Sequence, residues 1–135
     1  RHFFFDIGLF KSREGALPTL VLGNLTVGGT GKTPLTERVV LEMEIILGTG
    51  AVGVLSRGYG RSTKGFTWVT PTESVAAVGD EPLMLSRKLR HTAVAVCEDR
   101  IEGLKRMRDE RPDLQWGLLH LMQVCAAICW VCITT

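Results

Sequence analysis

The chain has 135 residues, 45% of them hydrophobic and 22% charged, with a formal net charge of +2. That length holds one domain or part of one, and the composition excludes a disordered or fibrous protein. The charge is too small to argue for a nucleic-acid partner.

The first residue is Arg1, so the chain is read as beginning inside a longer protein. Phe3, Phe4, Phe5, Leu9 and Phe10 make its opening apolar. The run is too short to span a bilayer and lacks the core and cleavage site of a signal peptide. Of the four cysteines, Cys125, Cys129 and Cys132 crowd near the end, with Cys97 alone upstream. A secreted disulfide framework would spread them through the fold, so the compartment reads as reducing and cytoplasmic.

Thr19 to Leu22 is a short apolar run between Pro18 and Gly23, the pattern of a buried strand. A glycine loop follows, Thr26-Val27-Gly28-Gly29-Thr30-Gly31-Lys32-Thr33. From Thr33 to Leu47, the apolar residues Leu35, Val39, Val40, Met43, Ile46 and Leu47 recur at helical spacing, with Pro34 in the first turn. Ala51 to Leu55 reads as a second strand, followed by the basic loop Ser56-Arg57-Gly58-Tyr59-Gly60-Arg61. Phe66 to Thr70 alternates like a short strand that stops at Pro71. Gly79-Asp80-Glu81-Pro82 opens a helix running to about Arg90. Ala93 to Cys97 is a strand, Asp99 caps a helix from Arg100 to Glu110, and Leu114 to Leu119 starts a further strand. Apolar strands alternating with helices predict an α/β fold: a parallel sheet covered by helices on both faces, as in P-loop NTPases.

The glycine loop carries the chemistry. Glycines let backbone N–H groups wrap closely around a phosphate chain, and the following helix adds its free N–H groups and positive dipole end. Lys32 supplies a point charge near the β- and γ-phosphates, and the Thr33 hydroxyl is placed to ligate Mg²⁺. The first position of the usual spacing is Thr26 instead of glycine, but strand before and helix after complete the context. Kinases, ATPases and GTPases share such a loop, so by itself it does not name the phosphate acceptor.

Further segments narrow the choice. Gly23-Asn24-Leu25 ahead of the loop and Pro34 after it, then Leu55-Ser56-Arg57-Gly58-Tyr59-Gly60 and Gly79-Asp80-Glu81-Pro82, come in an order that resembles the tetraacyldisaccharide 4'-kinase family. Phe5-Asp6-Ile7-Gly8 and Lys11-Ser12 resemble the segment leading into its first strand. The resemblance runs from Arg1 to Leu119. It implies transfer of the γ-phosphate of ATP, with Mg²⁺, to the 4'-hydroxyl of a tetraacylated glucosamine disaccharide 1-phosphate, giving lipid IVA. It also implies work at the cytoplasmic face of the bacterial inner membrane, and a second, smaller domain that is expected to lie outside residues 1–135. By resemblance Lys32 and Thr33 hold phosphate and Mg²⁺, and Asp80 matches the proposed catalytic base. On the residues alone, Asp80 is also readable as a plain helix cap. Arg57 and Tyr59 leave a strand at the ligand-facing edge, where Arg57 could meet an anionic substrate. Together with Arg61 and Lys64 it could also touch anionic lipid headgroups.

The chain departs from the family after Leu119. An Asp-Asp-Gly-Phe-Gln-His-like motif is due, and its carboxylates would help hold Mg²⁺. Instead the chain reads His120-Leu121-Met122-Gln123, with no acidic residue after Asp113. Residues 120–135 therefore read as an aberrant apolar tail. A shifted reading frame, a genuine apolar tail, or a metal site from Cys125, Cys129, Cys132 and His120 would each produce it, and the abrupt change in composition favours the first. Residues 1–119 read as the N-terminal part of a P-loop kinase domain, expected to be inactive and poorly soluble alone. The rival reading is a P-loop ATPase or switch with no small-molecule acceptor.

Overall fold

The computed structural model describes residues 16–22 and 32–120. The opening segment, the loop residues Thr26, Val27, Gly28, Gly29, Thr30 and Gly31, and the tail from Leu121 lie outside the described residues, as does the side chain of Lys32.

The elements follow in chain order: β1 (Thr19–Leu22), α1 (Lys32–Leu47), β2 (Val52–Ser56), β3 (Thr67–Trp68), α2 (Val75–Val78), α3 (Asp80–Lys88), β4 (Ala93–Val96), α4 (Arg100–Glu110) and β5 (Trp116–His120). One five-stranded sheet results, in the order β1-β5-β2-β4-β3. Four strands are parallel, as their continuous apolar sequences predict. The exception is β3, which pairs antiparallel with β4. The alternation over Phe66 to Thr70 yields only this two-residue edge strand. Pro71, lacking a donor, closes the segment. The four-residue helix α2 had no forecast in the sequence. Ser74 caps it by accepting from the Ala77 N–H.

Strand alternation divides the core. Val52 and Val54 of β2, Val94 and Val96 of β4 and Leu118 of β5 face Val40 of α1, Val78 of α2, and Leu83 and Leu85 of α3. On the other face Leu55, Ala95 and Cys97 meet Leu104 and Met107 of α4. Asp99 caps α4, its Oδ1 accepting from the N–H groups of Ile101 and Glu102. Trp68 Nε1 donates to Glu110 Oε2 at 2.6 Å, tying the short edge strand to the same helix.

The apolar spacing of α1 overstates its buried face. Val40 is buried and Val39, Met43 and Leu47 pack against the core, but Leu35 and Ile46 are 52% and 80% exposed. At 100° per residue these two lie roughly a quarter-turn off the buried stripe.

Candidate nucleotide site

Register brings the ends of the parallel strands to one level. Leu22 pairs with His120, His120 with Ser56, and Ser56 with Val96. The chain leaves this carboxyl edge towards the glycine loop after β1, into Arg57 after β2 and into Glu98 after β4. Ligands of open α/β sheets bind outside this edge. Because β5 lies between β1 and β2, its last residue sits beside the strand that feeds the glycine loop.

Helix α1 starts at Lys32 and α3 at Asp80, and their first turns meet. Thr33 Oγ1 donates to Glu81 Oε1 at 3.0 Å, and His120 Nε2 lies 3.3 Å from that same oxygen. His120 is fully buried, and the Glu81 side chain is 16% exposed. Glu81 Oε2 is buried and has no hydrogen-bond partner among the described residues. One helical turn further along α1, Glu37 Oε1 accepts from Lys88 Nζ of α3 at 2.7 Å, which holds the two helices side by side.

Asp80, the carboxylate singled out by the resemblance, is exposed in the first turn of α3, with Oδ1 accepting from the Glu81 N–H at 2.8 Å. Gly79, not Asp80, is the cap. Arg57 and Tyr59 are exposed, and their loop lies against Gly79. The structure thus brings Thr33, Glu81 and His120 into contact, and sets Arg57, Tyr59 and Asp80 on the rim of the same edge. Arg61 differs from its forecast as a headgroup contact. Its side chain is 2% exposed and engaged with Glu98, so it offers no charge to a surface. Lys64 is exposed.

Glu81 is the residue that the sequence reading passed over. Its phase held the signal: four residues on is Leu85, fully buried, whereas Asp80 shares its face with the exposed Met84. Glu81 therefore turns inward, and Asp80 outward. The sequence places His120 at the start of the tail, yet it closes β5 and lies 3.3 Å from Glu81 Oε1.

The Glu98 carboxyl is held below the ordinary glutamate value. Burial pushes it up, but the N–H groups of Glu98 and Gly65 and the Arg61 guanidinium outweigh that. Desolvation raises the Cys97 thiol, more than the lowering from the Asp99 backbone and Arg61 can cancel.

A family model for tetraacyldisaccharide-1-P 4'-kinase matches residues 1–116. The chain belongs to the tetraacyldisaccharide 4'-kinase family. A tetraacyldisaccharide 4'-kinase of Cytophaga hutchinsonii is 42% identical over 120 residues, 88% of this chain and 33% of the relative. One from Phocaeicola vulgatus is 41% identical over 107 residues, 79% of this chain and 28% of the relative. LpxK from Aquifex aeolicus, crystallised in complex with ATP, superposes with a TM-score of 0.74 at 31% identity, covering 88% of this chain and 38% of that one. The chain thus spans about a third of the length of the curated relatives it matches. The ATP-bound neighbour agrees with the P-loop α/β fold that the strand–glycine loop–helix order forecast.

Proposed function

We propose that the protein to which this chain belongs transfers the γ-phosphate of ATP to the 4'-hydroxyl of a tetraacylated glucosamine disaccharide 1-phosphate, at the cytoplasmic face of the bacterial inner membrane. The observation that carries the reading is the family match over residues 1–116, laid on a sheet whose carboxyl edge gathers Thr33, Glu81, Arg57 and Asp80.

The residues fit a hard divalent cation such as Mg²⁺. Thr33 Oγ1 and Glu81 Oε1 are oxygen donors in contact, and Glu81 Oε2 is a buried oxygen with no partner among the described residues. Mg²⁺ prefers few protein oxygens and takes the rest of its shell from water and phosphate. Bound there, the ion would neutralise charge on the β- and γ-phosphates.

The chain's own residues do the rest. The N-terminus of α1 presents free N–H groups to phosphate, and Lys32 begins that helix. Asp80, exposed on the rim, accepts the proton of the attacking sugar hydroxyl. Arg57 faces anionic substrate from the neighbouring loop. In this chain His120 stands where the family's aspartates would follow β5, so residues 1–135 alone bind nucleotide without transferring phosphate.

The test uses the full-length protein, radiolabelled ATP and the tetraacylated acceptor. Asp80→Asn lowers transfer by roughly 10²–10⁴-fold, the usual worth of a positioned base, with ATP binding retained. Glu81→Gln raises the Mg²⁺ concentration needed for nucleotide binding. ATP hydrolysis without labelling of the lipid would replace this reading by that of an ATPase or switch.

A further inference from the structure

The Arg61 side chain is nearly as buried as the core, although the residues on either side of it, Gly60 and Ser62, are exposed. Its guanidinium reaches three acceptors in three directions. Nη1 donates to Thr63 Oγ1 at 3.0 Å, and Nη2 donates to Gly65 O at 2.6 Å and to Glu98 Oε1 at 2.7 Å. Glu98 answers with its second oxygen, which accepts from the Gly65 N–H at 2.9 Å. The loop is thereby closed on itself and fastened to the carboxyl end of β4.

The same loop is stitched to the segment that delivers Asp80. Thr63 Oγ1 donates to Ala77 O at 2.5 Å, and the Ser62 N–H and Oγ both donate to Ala76 O, at 2.7 and 2.8 Å. Ala76 and Ala77 belong to α2, which ends at Val78, directly before Gly79 and Asp80. The two backbones then touch. Gly58 has φ +68°, and a Cβ there would sit 2.6 Å from Arg61 Cδ and 2.7 Å from Val78 O. Gly79 has φ +93°, and a Cβ there would sit 3.3 Å from Gly58 Cα and from Tyr59 O. The aliphatic stem of Arg61 thus lies over Gly58 while its head pins the loop beyond.

We propose that Arg61 is a positioning residue: it clamps the Arg57–Gly60 loop against the Gly79–Asp80 turn and so fixes the spacing between the substrate-facing Arg57 and the proton-accepting Asp80. The inference rests on the kinase reading for the roles of those two residues, but not for the clamp itself. A planar fork suits the task, because it aims several donors from one rigid head. A lysine ammonium is a point charge and would keep only part of the set. Burial of the head beside one neutral hydroxyl and one carbonyl also requires a carboxylate partner, which Glu98 provides.

The experiment compares Arg61→Gln, Arg61→Lys and Glu98→Gln in the full-length protein by two readouts. Amide hydrogen exchange at residues 58–60 and 79–81 accelerates together in Arg61→Gln, and less in Arg61→Lys. Transfer to the lipid acceptor falls in kcat by roughly 10²-fold, the effect of a misplacement of about 1 Å, with KM for ATP unchanged because the substitution leaves the glycine-loop sequence intact. Acceleration confined to residues 61–66, or equal changes in kcat and in KM for ATP, would overturn the clamp. Should Arg61→Gln fail to fold, Glu98→Gln at the half-exposed end of the pair carries the same comparison. Wild-type protein that transfers no phosphate would defeat the kinase reading alone, and the exchange pattern would still decide the clamp.

Discussion

Replacing Gly79 with alanine puts the junction between the two loops under a direct load. The backbone at Gly79 has φ +93° and ψ 154°, a region that only glycine occupies at ease. Holding another residue there costs about 1–3 kcal/mol. The added Cβ meets Gly58 Cα and Tyr59 O at 3.3 Å, and both are backbone atoms that cannot rotate away. The crowding moves the total to the upper end of that range, about 3 kcal/mol. For a chain of this size that corresponds to a fall of about 10 °C in Tm. Gly60→Ala is the control, since its φ is +75° but nothing lies within 4 Å of the added Cβ. It costs only the left-handed backbone penalty, about 1–2 kcal/mol. Urea unfolding followed by tryptophan fluorescence measures both. If Gly79→Ala proves no more destabilising than Gly60→Ala, the two loops are not in the close contact argued here, and the clamp loses its physical basis.

Leu118→Ala, in the interior strand β5 and fully buried, costs about 2–5 kcal/mol in the same unfolding assay, as for other large-to-small core changes. Peptide mapping after iodoacetamide finds Cys97 alkylated far more slowly in the folded chain than in urea, because it is buried and desolvation raises its thiol pKa. Glu98 sets a pH dependence of defined sign. Its folded value lies below the ordinary 4.5, so its contribution is complete above that value and is lost as pH falls through the lower folded one. Acid titration of stability should show this slope flattened in Glu98→Gln, and an identical slope would remove Glu98 from the account.

Most strands and helices of the layered sheet are legible in local pattern, though the short helix α2 is not, and the glycine loop points to phosphate at the sheet's edge. Apolar runs such as Thr19 to Leu22 and Val52 to Leu55 can be buried on both faces only inside a covered sheet. The glycine spacing before Lys32-Thr33 has little other physical use. Both are local patterns, which a chain displays before it folds. Strand order is different in kind. That β5 inserts between β1 and β2, and so carries His120 beside the loop-bearing strand, depends on pairing between segments about a hundred residues apart. Periodicity places Leu35 and Ile46 near the buried side of α1, but nothing among the described residues covers them. Asp80 and Glu81 are neighbours of the same charge; helical phase puts Glu81 on the face of buried Leu85, but only the folded chain sets Thr33 of α1 against it. By sequence Arg61 is a loop cation that could meet anionic lipid headgroups. Its burial arises because Glu98, Gly65 and Thr63 converge on it from two strands' ends, and no spacing along the chain records that convergence.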